Sequence, residues 1–172
     1  MTMDALDAIM TRHSVRAYTS EPVSDADVET ILRAAMAAPS ASNQQPWQFI
    51  VLRDRDQLTA VAGATPYGSM LPGCGVALVV CGDTRELKHS MMWQQDCAAA
   101  TQNALLAAHA MGLGAVWLGF WPVAERVAVL KEVLDMPEGV EPMAVISIGH
   151  PAGPARQADR YDAARIHMDR WA

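Results

Sequence analysis

Two stretches of this 172-residue chain concentrate groups able to hold a polar ligand. In Arg12-His13-Ser14-Val15-Arg16, two guanidiniums, an imidazole and a hydroxyl fall within five residues, with no carboxylate among them to neutralise the charge. Guanidinium forks beside a hydroxyl suit a phosphate and the polyol next to it. A basic turn standing alone is ordinarily just a solvated surface. The second stretch, Pro39-Ser40-Ala41-Ser42-Asn43-Gln44-Gln45-Pro46-Trp47, crowds amides and hydroxyls between two prolines that limit the backbone's freedom. A loop of that kind could read the edge of a planar heterocycle carrying alternating N–H and C=O groups. Alone it is a polar loop.

Other chemistry finds less support. Cys74, Cys81 and Cys97 are odd in number, lack a C-x-x-C spacing and have no histidine placed as a metal ligand, which reads as buried thiols in a reducing compartment. There is no P-loop and no G-x-S-x-G elbow. Gly112-Leu113-Gly114 opens like a dinucleotide fingerprint but closes a helix, so a helix stop and a tight turn are expected there. A net charge of −6 argues against a nucleic-acid face, and 51% apolar with 19% charged residues is a globular composition. No basic start precedes an apolar run, and the longest apolar stretch, 76–81, is far too short to span a bilayer. A single domain over residues 1–172 in the cytoplasm is the expectation.

These segments need elements to position them. Apolar spacing predicts helices over 4–12, from Ser24 as N-cap to a stop at Pro39, near 57–62, over 92–111 and over 123–134. Asp27, three residues after Ser24, makes a short capping box. Strands are expected over 47–52, 76–82, 115–118 and 143–148, with the Gly- and Pro-rich stretch 63–75 as irregular chain. Helices and strands alternate, which taken alone suggests a parallel α/β sheet.

Together and in this order, the two polar segments resemble the nitroreductase family. Its pattern is a basic R-x-S-x-R/K segment after the first helix, then a P-S-x-x-N-x-Q-P-W loop opening a strand. Here these are Arg12 to Arg16 and Pro39-Ser40 through Asn43, Gln45, Pro46 and Trp47. Gln95-Asp96 through Asn103, Ala108, Gly112-Leu113-Gly114 with Trp117-Leu118-Gly119, and Gly149-His150-Pro151 match later parts of the pattern, so the resemblance spans nearly the whole chain. It implies an α+β fold in three layers, with a mixed, mainly antiparallel sheet between helices and a C-terminal arm reaching the partner subunit. That implication outweighs an alternation which other topologies also produce.

The resemblance further implies a homodimer with FMN at the interface. Arg12 and Ser14 should hold the phosphate and ribityl chain with His13 beside them, and Arg16 should approach the N1–C2=O side of the ring. Pro39, Ser40, Ala41 and Asn43 should come from the other subunit, and Trp117, Leu118 and Gly119 should pass the ring mostly through backbone groups. A second phosphate clamp is expected at Arg160, with Arg156 in reserve, while Arg165 and Arg170 read as a charged helix face. NADH or NADPH would deliver hydride to flavin N5, and a nitroaromatic, quinone or related small acceptor would then take it in a ping-pong cycle. No side chain need act as acid or base in that step, so no catalytic residue is assigned, and no metal is expected. Other uses of the same fold are FMN binding without turnover, as a sensor, and specialised flavin chemistry such as dehalogenation or flavin breakdown. The chain is short for the family around 63–75, which leaves the substrate side unspecified. Met91, Met92 and Trp93 are open between cleft and core, and Trp171 between partner and own subunit. His89 and His109 read as solvated or packed.

Overall fold

The structure is a computed structural model and describes residues 3–154 and 159–171. Its strands are β1 (Trp47–Leu52), β2 (Val76–Asp83), β3 (Gly114–Gly119) and β4 (Val140–Gly149). Its helices are α1 (Ala5–Thr11), α2 (Asp25–Met36), α3 (Arg55–Gly63), α4 (Trp93–Ala110) and α5 (Ala124–Val133), with single 3-10 turns at Ala41–Asn43, Leu71–Gly73 and Ala163–Arg165.

The strands lie in the order β1-β2-β4-β3, and each neighbouring pair is antiparallel. β2 and β3, joined through α4, therefore run parallel to each other, but β4 enters between them in the opposite sense. That insertion is why an alternating string of helices and strands does not make a parallel sheet here. Among the described residues, the parallel component implied by the resemblance is confined to one bridge, between Ser14 and Ala115.

Alternation along the strands builds two cores. Val76, Leu78 and Val80 of β2, with Ile146 and Ile148 of β4, face a cluster that includes Ile31 and Ala35 of α2 and Ala100, Ala104 and Ala108 of α4. Ala77, Val79 and Cys81, with Val145, face the opposite cluster of Leu58 and Val61 from α3, Leu130 from α5, and Leu71 and Phe120. Three layers result, with the sheet in the middle. Covering on both faces explains why β2 reads as an unbroken apolar run. Each Val, Leu or Ile so buried contributes roughly 1.5–3 kcal/mol.

The helix signals act as their chemistry dictates. Ser24 Oγ accepts from the Asp27 N–H at 3.1 Å while Asp27 Oδ2 accepts from the Ser24 N–H at 3.3 Å, closing the capping box of α2. At the end of α4, Gly112 takes a φ of +81°, its N–H bonds His109 O at 2.9 Å, and the Leu113 N–H bonds Ala108 O at 2.9 Å. This is a Schellman stop, which a left-handed glycine permits.

β4 begins earlier than its apolar pattern, because Pro142 lies inside it. The register shifts between Val80 and Cys81, so Met143 bulges and its carbonyl serves Phe120 and Trp121 instead. A proline at a bulge costs no ladder bond. In α1 only Ala8 is buried, while Leu6 and Met10 are 70% and 71% exposed.

Candidate functional site

The basic segment is laid along the outer edge of the sheet. α1 ends as the Arg12 N–H bonds Ala8 O, Ser14 bridges Ala115 of β3, and the Val15 N–H donates to Ala115 O at 3.0 Å. Four residues on, Tyr18 bridges Pro151, and the Thr19 N–H bonds His150 O at 2.9 Å. The Tyr18 hydroxyl donates to Val15 O at 2.8 Å and meets the buried Ser147 Oγ at 2.7 Å. Burial pushes this phenol far above its ordinary pKa, so it stays protonated. Gly149 is required beneath it, since a Cβ there would stand 2.8 Å from the Tyr18 ring. Val15 and Tyr18 thus anchor the segment.

His13, Ser14, Val15, Arg16 and Ala17 line a cleft of about 530 Å³ whose other wall is Gly153, Pro154 and Arg160. The structure thereby brings Arg160 to the basic segment, whereas Arg156 lies outside the described residues. Among the described residues, Arg12, Arg16 and Arg160 have no carboxylate within ion-pair distance. A contrasting cleft of about 470 Å³ beside Gln44, Gln45 and Gln48 holds Arg85, but that guanidinium is committed to Asp83 at 2.8 Å. Behind the basic segment, the His13 ring meets His109 edge-on at 5.5 Å, and His109 Nε2 lies 2.8 Å from Thr11 Oγ1. Burial first, then the charges of His13 and Arg12, hold the His109 imidazole below its usual pKa.

The polar loop is anchored elsewhere. Asp96, 5% exposed in the first turn of α4, accepts from the Ala41 N–H at 2.9 Å and from Gln44 Nε2 at 2.7 Å. A carboxylate there also sits in the favourable field of the helix start. The His89 N–H donates to Gln44 Oε1 at 3.1 Å, and His89 Nε2 lies 2.8 Å from Ser42 Oγ. Ser40 Oγ accepts from the Gln45 N–H at 3.0 Å. These bonds hold Ser42, Asn43 and Gln45 at φ of 49°, 55° and 48°, left-handed conformations that cost roughly 1 kcal/mol or more apiece. Pro39, Ser40 and Ala41 line a shallow cleft with Met92, Gln95 and Asp96, and Asn43 closes the turn beside them. Trp93 is core, whereas Met91 is exposed.

Asp96 and His89 had no assigned role from sequence. Asp96 stood out only as part of the Gln95-Asp96 match, and a lone histidine carries no spacing signal, so the anchoring of the loop by either was not legible.

The two donor sets do not meet on one chain. The loop is tied to Asp96 near the start of α4 and the basic segment to His109 near its end, which at 1.5 Å per residue places them about 20 Å apart. Between them runs β3. Because Ala115 O points outward to Val15, strand alternation turns the peptide groups of Trp117 and Gly119 toward the same open edge, and those of Leu118 toward β4. The Leu118 side chain is buried, that of Trp117 half-buried, and Gly119 is exposed. The three cysteines are free and buried, and burial raises each thiol above its usual pKa, so they take no part.

The Nitroreductase family profile matches residues 9–65 and 63–150. A candidate NADH dehydrogenase/NAD(P)H nitroreductase of Archaeoglobus fulgidus is 46% identical over 98% of this chain and 99% of its own length. A solved structure of the same description from Parabacteroides distasonis superposes with a TM-score of 0.93 at 40% identity, covering 97% of this chain and 98% of that one. A candidate nitroreductase from Desulfovibrio desulfuricans, solved in complex with FMN, gives a TM-score of 0.88 at 36% identity with both chains fully covered. No helix among the described residues is long and apolar enough to cross a membrane. With the paired motifs, the three-layer sheet and the profile match in agreement, this chain belongs to the nitroreductase family.

Proposed function

We propose that the protein is a homodimeric, single-domain FMN-dependent oxidoreductase that takes electrons from NADH or NADPH and passes them to a small acceptor such as a nitroaromatic or a quinone. The observation that carries this reading is the separation of the donor sets at opposite ends of α4. One copy cannot close both sets on one ligand, but a two-fold related copy can bring the start of one α4 to the end of the other. An isologous interface builds two equivalent sites in this way.

The residues present fit the cofactor. Arg12, Arg16 and Arg160 are cations without carboxylate partners among the described residues, and Arg16 and Arg160 share the cleft that Ser14 lines. Arg12, Ser14 and Arg160 hold the phosphate and ribityl chain, with His13 alongside. Arg16 would approach the N1–C2=O side, where a fixed cation would stabilise the negative charge of the reduced ring. Pro39, Ser40, Ala41 and Asn43 line the ring bound on the opposite copy, held in shape by Asp96. Trp117 and Gly119 offer backbone groups along the open edge of β3, with Leu118 buried beneath. Bound there, FMN supplies the redox chemistry, hydride acceptance and donation at N5. The protein binds, orients and keeps the ring's electronics tuned, and no side chain is asked to move a proton.

The test is an absorption spectrum of the purified protein before and after anaerobic NADH, and then NADPH. Flavin bands that bleach with either nucleotide are expected and identify the donor. Bands that bleach with neither would convert the reading to flavin binding without turnover, and a protein that ignores added FMN would end it.

A further inference from the structure

The end of β3 carries a charge that the cofactor reading leaves unused. Arg126, in the first turn of α5, reaches back to donate from Nη1 to the Gly119 carbonyl at 3.2 Å. Its guanidinium carbon lies 5.1 Å from the centre of the Tyr67 ring, within cation–π range. Among the described residues no carboxylate stands within ion-pair distance of it, whereas Arg33, Arg53, Arg85 and Arg165 are each paired with one. The contacts with Gly119 and Tyr67 use one donor and one face of the fork, leaving most of its five N–H groups for another partner. Tyr67 is itself exposed, as is part of Trp121 just beyond Gly119. A guanidinium held in place, with no carboxylate partner among the described residues, thus stands beside the exposed Tyr67 ring at the end of the strand edge.

We propose that Arg126 is a specificity-determining residue that binds a phosphate of the nicotinamide dinucleotide, with Tyr67 and the Gly119 carbonyl holding it in place. This inference rests on the flavin reading, in which β3 runs along the ring and Gly119 marks its margin. The nicotinamide must lie against the ring to give up its hydride. Its pyrophosphate, one ribose away, then falls beyond the margin, where Arg126 waits. An anionic donor approaching a chain of net charge −6 has particular need of a local cation. A carboxylate on the electron acceptor would offer the same anionic chemistry, so the two sources are separated experimentally.

The experiment uses FMN-loaded wild type, R126Q and R126K, with NADH and NADPH as donors and with one uncharged and one carboxylate-bearing quinone as acceptors. R126Q is expected to raise the donor KM about tenfold or more, the scale of a charge-assisted hydrogen bond, while kcat at saturating donor stays within about twofold. R126K should recover part of the loss, and the salt dependence of the donor KM should flatten in R126Q. Parameters for the uncharged quinone should not move. An unchanged donor KM with a raised KM for the carboxylate-bearing quinone would overturn the assignment in favour of the acceptor. No change in any KM, or a lowered melting temperature with flavin loss alone, would overturn it in favour of a structural role. Flavin content and bleaching of the wild type come first. If the wild type takes no flavin, the underlying reading fails and this one with it. If it is reduced by NADH or NADPH and R126Q is indifferent, this one alone fails.

Discussion

The Tyr18 hydroxyl, set between Val15 O and Ser147 Oγ, ties the basic segment to the central strand β4, so Arg16 is positioned by the core of the sheet. Gly149 and Pro151, which the sequence offers only as a family match without a role, have the same purpose: one makes room for the Tyr18 ring and the other bridges its backbone. With the segment so braced, a change at Arg12 should act on the ligand more than on the fold. Arg12→Ala is expected to weaken FMN binding by about 1.5–3 kcal/mol, the scale of a lost charge-assisted hydrogen bond, while the melting temperature of the apoprotein holds. Fluorescence titration with FMN reads this directly, and unchanged affinity would remove Arg12 from the phosphate site. The charged residues themselves were legible in the sequence only through their pairing with the 39–47 loop, because a basic turn alone is ordinarily a solvated surface. Tyr18 was not, since nothing local distinguishes a tyrosine that braces a loop from one that fills a core.

At the scale of elements, legibility followed how local the determining physics is. The capping box of α2, the glycine stop of α4 and the doubly buried run of β2 each rest on contacts within or close to the element, and each stands within a residue or two of its pattern. Strand order is non-local: β4 slips between β2 and β3, and no periodicity records that. The family resemblance supplied the mainly antiparallel sheet, but not the order of its strands. The 39–47 loop is intermediate, for its polar groups were evident but its anchor was not. Asp96 takes two donors from that loop, so Asp96→Ala should leave the Ala41 N–H and the Gln44 amide without an acceptor. Stability should fall by about 2 kcal/mol, or roughly 4–8 °C in melting temperature for a chain of this size. On the proposed function, in which the loop would line the ring bound on the opposite copy, FMN affinity should fall as well. A thermal melt of the apoprotein paired with a flavin titration checks both, and a melting temperature within a degree of wild type would show that Asp96 does not carry the loop.

For the whole molecule the telling quantity is surface. A compact monomer of this mass is expected to expose about 8,200 Å², whereas the single chain exposes 10238 Å². The excess, roughly 2,000 Å² per copy, is of the order that permanent dimers bury. Its chemistry is apolar where it matters: Leu6, Ile9 and Met10 on α1 face outward, and Tyr161, Ile166, Met168 and Trp171 stand out from the C-terminal region. Trp171 is 86% exposed and touches its own chain through a stack on His167 at 4.1 Å, so it is not buried in its own subunit. Large apolar side chains left exposed on α1 and in the C-terminal region are the kind another protein covers, and the second copy of the proposed function would answer both them and the divided site. Assembly and flavin retention should then be linked, because the proposed site takes the basic segment from one copy and the loop from the other. Sedimentation of the flavin-loaded protein is expected to give twice the 18.6 kDa chain mass. Leu6→Asp combined with Met10→Asp should shift it toward the monomer, and flavin release should track dissociation as the protein is diluted. A monomer that keeps its flavin tightly would mean that one chain closes the site alone, and the roles given to Pro39, Ser40, Ala41 and Asn43 would have to be reassigned.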